Sequence, residues 1–276
     1  MTRPSLLSDV RIRAFRRVVY RGARRAGRVF PWRTNPTPYR VLVSEIMLQQ
    51  TQAERVAQKY REFLTAFPSV RSLARAPQGR VLRAWQGLGY NRRALMLRRS
   101  AQAVVSRFNG RIPGTIEELR GLPGVGPYTA AAVLVFAWNR PATVLETNIR
   151  SVFIHHFFPR RRGISDTELI PLIEATQDTH APRRWYSALM DYGSVLKRAE
   201  ANPSRRSIHH ASQPRFRGSR RELRGAILAL AARKRSVVPS DVRAVLLRSA
   251  KEIAACFADL VREGFLVRSG SRFRLK

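Results

Sequence analysis

Two short stretches of this chain combine residue types and spacings that could do chemistry. The first is Leu122-Pro123-Gly124-Val125-Gly126-Pro127-Tyr128. Two glycines two apart allow a tight backbone turn, and helical periodicity lies on both sides of it. A helix opening after such a turn presents unpaired N–H groups that suit a phosphate oxygen. The run reads as a helix-hairpin-helix, which grips a nucleic-acid backbone rather than a base sequence. The second is Glu45, a carboxylate in the otherwise apolar segment Ser44-Glu45-Ile46-Met47-Leu48. An ordinary surface glutamate is out of place there, whereas a buried acid is not. Metal chemistry is not expected. The single cysteine, Cys256, excludes an intrachain disulfide and a cysteine-ligated zinc or iron–sulfur centre. The histidine pairs 155/156 and 209/210 lack a supporting carboxylate at ligand spacing.

These residues need elements to hold them. Asp9 to Arg28 reads as a basic helix, broken by Pro31, Pro36 and Pro38. Apolar residues recur at helical spacing from Tyr39 to Phe67. Further helices are expected at 80–86, 92–108, 116–120, 126–138, 148–158, 166–176 and 183–198. Alternation that would build a sheet is missing before residue 230, so the first two hundred residues are expected to be all-α. Residues 199–217 are basic and nearly devoid of aliphatics, and read as a linker. After Gly218, helices are expected at 223–230, 239–247 and 250–262. Phe265-Leu266-Val267, Gly270 and Phe273-Arg274-Leu275 then form a hairpin. Three helices and a two-stranded wing resemble a winged helix, a DNA-binding or protein-docking module. The expected fold is mainly α, with domains at 1–198 and 218–276.

Charge narrows the partner. The 276 residues carry 52 Lys and Arg against 18 Asp and Glu, a net of +34. Only Lys59, Lys197, Lys234, Lys251 and Lys276 are lysines, and so heavy an arginine bias can also come from genome base composition. A net charge of this size still attracts phosphate, so nucleic acid is the expected partner ahead of acidic proteins and anionic membranes. No apolar run approaches a membrane span, and the Arg-rich start lacks the apolar core of a secretory signal. The expectation is a cytoplasmic, nucleoid-associated monomer.

Five runs in order carry a resemblance: Pro31-Trp32-Arg33, Pro38 to Thr51 (PYRVLVSEIMLQQT), Gly87-Leu88-Gly89-Tyr90, the hairpin 122–128, and Leu189-Met190-Asp191-Tyr192-Gly193. Over residues 8–198 the chain resembles the helix-hairpin-helix DNA glycosylases, most closely the MutY-type adenine glycosylases. The resemblance implies a two-lobed all-α fold, double-stranded DNA as partner, and excision of a mispaired adenine opposite guanine or 8-oxoguanine. It implies Glu45 as the general acid that protonates the departing base, with a pKa raised by burial beside Trp32 and Tyr128. Glu146, with Asn148, stands where the family has the aspartate that stabilises the cationic sugar, one methylene longer. Arg28, Trp32, Arg33, Tyr128 and Asp191 match the base pocket. Gln50 and Tyr90 match the wedges that fill the hole left by the flipped base, with Thr51 and Leu88 against its orphaned partner. Gly124, Val125 and Gly126 match the phosphate-binding hairpin, whose carbonyls in related proteins hold a monovalent cation.

The chain departs from the family in three ways. Bifunctional members have a lysine where Tyr128 stands, so a monofunctional enzyme is expected. Ser194–Arg220 holds no cysteine, so no iron–sulfur cluster is expected. The family's 8-oxoguanine-recognition domain is not expected, since a winged-helix-like module follows the resembling segment. The alternatives are a thymine or uracil glycosylase acting opposite guanine, and a non-catalytic DNA-binding protein.

Overall fold

The computed structural model describes residues 7–276 except 200, 213 and 235. Its elements are helical apart from one hairpin. The helices are α1 (Asp9–Ala26), α2 (Pro38–Leu48), α3 (Ala53–Ala66), α4 (Val70–Arg75), α5 (Gln78–Ala84), α6 (Arg92–Arg107), α7 (Ile116–Arg120), α8 (Pro127–Trp138), α9 (Thr147–Phe157), α10 (Asp166–Thr176), α11 (Pro182–Ala199), α12 (Arg220–Arg233), α13 (Pro239–Arg243) and α14 (Ala250–Arg262). The antiparallel pair β1 (Leu266–Ser269) and β2 (Arg272–Leu275) closes the chain, with Leu266 opposite Leu275. Among the described residues no helix is long and apolar enough to cross a membrane.

Most expected helices form where the periodicity placed them. The continuous pattern over 39–67 divides in two, because Gln50 takes a left-handed backbone (φ 55°) and α3 restarts after Gln52. Helix α4 lacks the length for a periodic signal. It is nucleated by Ser69 and Ser72, whose hydroxyls cap each other's backbone. The expected helix over 239–247 stops at Arg243.

Two compact units share the chain. The first takes the described residues of 1–42, then 114–120 and 125–212. Its core is built by Phe15 and Val19 of α1, Val135 of α8, Val152 and Phe153 of α9, Ile173 of α10, and Trp185 and Leu189 of α11. Two glycines let α11 approach its neighbours. A Cβ on Gly22 of α1 would lie 2.3 Å from the Tyr192 ring, and one on Gly193 would lie 2.2 Å from the Asn148 carbonyl oxygen. Helix α8 is apolar nearly all round, so it runs buried through the unit.

The second unit takes 43–113, 121–124 and the described residues of 213–276. Phe63, Trp85, Leu97 and Val104 fill its helical part. Ile227, Ile253, Phe257, Phe265 and Phe273 fill the part built from α12–α14 and the hairpin. Val237 adds a bridge to the hairpin, exchanging backbone hydrogen bonds of 2.8 and 2.9 Å with Phe273.

The domain boundaries expected at 198 and 217 do not coincide with these units, because the C-terminal segment packs against α5. Gln78 Nε2 donates to the Gly264 carbonyl at 2.6 Å, and Gly79 leaves room for Leu275 and the Lys276 carbonyl. The basic segment expected to be a linker is partly built in. Pro203–Arg206 forms a 3₁₀ turn, Ser204 and Ser207 are buried, and Ile164 pairs in parallel with Ser207. Arg206 donates to the carbonyls of Phe158 and Pro159. Backbone hydrogen bonds, rather than aliphatic side chains, hold this stretch down, which is why composition hides it.

Candidate active site

In the first unit the N-terminus of α9 is capped by a carboxylate. Glu146 precedes the first helical residue with an extended backbone. Its Oε1 accepts from the backbone N–H of Asn148 at 2.8 Å and of Ile149 at 3.0 Å. Its Oε2 accepts from Asn148 Nδ2 at 3.1 Å. The same side chain therefore caps the helix and offers an anion held by the helix's N–H groups. Burial pushes its pKa up. The backbone donors, Lys197 and Arg150 oppose that push without cancelling it. Arg150 is itself engaged, donating from Nε and Nη2 to Asp166 at 2.9 and 2.8 Å.

A second cluster in this unit assembles residues from the start and end of the segment. Asp191 is buried in α11 and receives a bidentate pair from Arg33, 2.7 and 2.9 Å. Arg28 Nη1 lies 3.9 Å from the same carboxylate. Trp32 stacks on Phe30 with centroids 4.7 Å apart and planes 8° apart. Arg28 and Arg33 place their guanidiniums 4.7 and 5.2 Å from the Phe30 ring. Phe30, which carries no motif signal, organises the cluster: aromatic faces and fork-shaped donors are what a planar heterocycle needs from a pocket. Tyr128 is half-buried at the second position of α8 and packs on the core of this unit.

The second unit holds Glu45 and the proposed wedge residues. Glu45 is 5% exposed on α2, flanked by the buried Val43, Ile46 and Met47. The loops carrying Gln50, Thr51, Leu88 and Tyr90 are tied together by Arg93 of α6. Its Nη1 donates to the carbonyls of Ile46 (3.0 Å), Met47 (2.8 Å) and Gln49. Its Nη2 donates to Thr51 Oγ1 (2.9 Å) and to the carbonyls of Leu88 and Gly89 (both 3.2 Å). Burial lowers its pKa to about 10, which leaves the guanidinium charged at neutral pH. The carbonyls at the end of α2 are the orphan acceptors of a helix C-terminus, and a cation satisfies them well. Leu88 is buried, whereas Tyr90 is 37% exposed on a left-handed backbone (φ 44°). Arg221 of α12 donates to the Tyr90 hydroxyl at 2.7 Å and to the Pro214 carbonyl at 2.7 Å. The Tyr90 ring thus has Arg93 and Arg221 at 5.4 and 5.8 Å from its centroid.

At the hairpin, Gly124 has φ 79° and packs on Met96, where a Cβ would come within 2.6 Å. Ser100 Oγ donates to the Pro123 carbonyl at 2.7 Å. Val125 is buried, and Gly126 forms the N-cap of α8 with open space around its Cα. Only Gly124 is required by the backbone; Gly126 keeps the approach to the helix end clear. An iron–sulfur cluster does not fit the residues present. It needs four thiolates, and the one thiol, Cys256, is buried in α14. Among the described residues no group of three or more His, Cys, Asp or Glu could hold a metal ion.

Residues 43–170 match the family model of the HhH-GPD superfamily base excision DNA repair proteins. The chain is 40% identical over 153 residues to the adenine DNA glycosylase of Mycobacterium tuberculosis (strain ATCC 25618 / H37Rv), covering 55% of this chain and 48% of that one. It is 38% identical over 143 residues to the thymine/uracil-DNA glycosylase of Pyrobaculum aerophilum, covering 50% and 62%. Among solved structures it is similar to a thermostable thymine-DNA glycosylase, with a TM-score of 0.60, 25% identity and coverage of 68% and 88%. The chain spans about one-third to three-fifths of the length of the curated relatives it matches.

Proposed function

Residues 43–170 match the HhH-GPD superfamily, and on that premise we propose that the chain is a monofunctional DNA glycosylase that excises a mispaired adenine from duplex DNA. The observation that carries the reading is the Glu146–Asn148 pair at the head of α9. A carboxylate held there by two backbone N–H groups suits stabilisation of an oxocarbenium-like sugar. Glu45 supplies the proton to the base, so that it leaves neutral. Arg28, Trp32, Arg33, Tyr128 and Asp191 line the base pocket, Gln50 and Tyr90 enter the helix stack, and Thr51 and Leu88 lie on the side of the orphaned base. Gly124–Gly126 bind phosphate at the start of α8. The enzyme works on DNA as a cytoplasmic, nucleoid-associated monomer without an iron–sulfur cluster.

The test is a panel of labelled duplexes carrying A·8-oxoG, A·G, T·G, U·G and hypoxanthine pairs, treated with alkali after incubation. Release is expected from the adenine pairs, with breaks only after alkali and little covalent complex trapped by borohydride, because residue 128 is a tyrosine. The similarity to a thymine-DNA glycosylase structure favours a second reading, thymine or uracil removal opposite guanine, and release confined to T·G and U·G would establish it. No release from any duplex would favour a DNA-binding protein.

The contact between α12 and Tyr90 gives the C-terminal segment a part in this reading. Arg221→Ala removes a cation and a hydrogen-bond donor from the wedge, an exposed interaction worth about 0.5–1 kcal/mol. The single-turnover rate is expected to fall roughly two- to fivefold, with the melting temperature unchanged. An unchanged rate would detach Arg221 from wedge function.

A further inference from the structure

Lys197 is one of five lysines in a chain with 52 basic residues, and its ammonium hydrogen-bonds Asn148, the residue that in turn donates to the proposed reacting carboxylate. Helix α11 crosses the head of α9 so closely that position 193 admits only glycine, 2.2 Å separating a Cβ there from the Asn148 carbonyl oxygen. Position 197 is one helical turn further on the same face. Its ammonium donates to Asn148 Oδ1 at 3.2 Å. Asn148 Nδ2 in turn donates to Glu146 Oε2 at 3.1 Å. The lysine thereby fixes which way the asparagine amide faces, since an ammonium has only donors and demands the oxygen. The amide NH₂ is left to point at the carboxylate.

We propose that Lys197 is the positioning residue of the site, orienting the Asn148 amide towards Glu146 and placing a positive charge beside that pair. The proposal rests on the glycosylase reading above. The charged groups facing Glu146 are Lys197 of α11 and Arg150 of its own helix, and Arg150 is bound to Asp166 of α10. Of the two cations, Arg150 has a carboxylate partner and Lys197 hydrogen-bonds the neutral Asn148. Removing the Lys197 charge therefore leaves the desolvation of Glu146 less opposed, and its pKa rises. Activity that needs the carboxylate is then lost at a higher pH as the solution is acidified.

The experiment compares the parent with Lys197→Met and Lys197→Arg, each as the full chain. In ¹³C-Glu-labelled protein, with the Glu146 signal assigned by Glu146→Gln, the carboxyl is expected to titrate at higher pH in Lys197→Met and near the parent in Lys197→Arg. At neutral pH the single-turnover rate of Lys197→Met is expected to fall about tenfold, with duplex affinity changed less than about threefold. The acidic limb of the rate profile should move to higher pH, and Lys197→Arg should restore both rate and limb. An unmoved titration, or equal losses in both variants with an unmoved limb, would overturn the proposal. Borohydride trapping that disappears in Lys197→Met would make the lysine a nucleophile and overturn it as well. A parent that releases no base refutes the glycosylase reading, and the NMR titration then decides the role of Lys197 by itself.

Discussion

Glu45→Gln is expected to slow base release by about 10²–10⁴-fold while leaving duplex binding within about threefold of the parent. The substitution keeps the side-chain volume at a position only 5% exposed, so the packing of α2 among Val43, Ile46 and Met47 is preserved. What is lost is the proton and the charge. A base leaving as an anion is a poor leaving group, and the general acid removes that cost in the transition state. Single-turnover kinetics on the duplex that responds best, with anisotropy for binding, separate the two effects. A variant that turns over within threefold of the parent would remove Glu45 from the chemistry and shift the burden to Glu146.

Arg93→Met is expected to have the largest effect on stability. Its guanidinium donates to five backbone carbonyls and one hydroxyl across two loops and the end of α2. Hydrogen bonds to a charged group are worth about 1.5–3 kcal/mol each, and they are not additive within one network. A loss of roughly 3–5 kcal/mol follows, or about 6–20 °C in melting temperature for a chain of this size. Arg93→Lys is expected to recover little, because a single ammonium cannot span acceptors that a planar fork reaches. Thermal unfolding followed by circular dichroism measures both variants. A melting temperature within about 2 °C of the parent would show that the two loops are held by other means. Base release should fall with stability, since Gln50, Thr51 and Tyr90 all sit on the loops this residue ties.

The candidate site residues were nameable from the sequence because they fall in short motifs whose members lie close together in the chain. The turn at 122–126 and the Glu146–Asn148 spacing are local, and helix α9, expected from residue 148, begins at Thr147. Glu146, named from the resemblance as a reacting carboxylate, also caps α9. The cap uses the same oxygens that the proposed chemistry would use, so one does not exclude the other. Less was legible where backbone rather than side-chain pattern decides. Gln50 breaks the long helical pattern after α2, and residues 203–208 dock through backbone groups although their composition is that of a solvated linker. Glycine meanings were legible only in part: Gly124 and Gly193 are demanded by close neighbours, whereas Gly126 is not.

The sequence by itself determined the order and type of most of the longer elements, since helical periodicity is a property of residues three and four apart. It also determined the net charge of +34, the single thiol and the tyrosine at position 128. Tertiary structure alone decided where three of the cations are held. Lys197 and Asn148 are 49 residues apart, Arg93 and Ile46 are 47 apart, and Arg221 and Tyr90 are 131 apart. Among dozens of arginines and lysines nothing in the local pattern distinguishes these three, because each is selected by contacts with a segment far away in the chain. A salt- or hydrogen-bonding partner that far along the chain is fixed by burial of the apolar faces between them, and only once those faces are packed does the charge have a unique place to go.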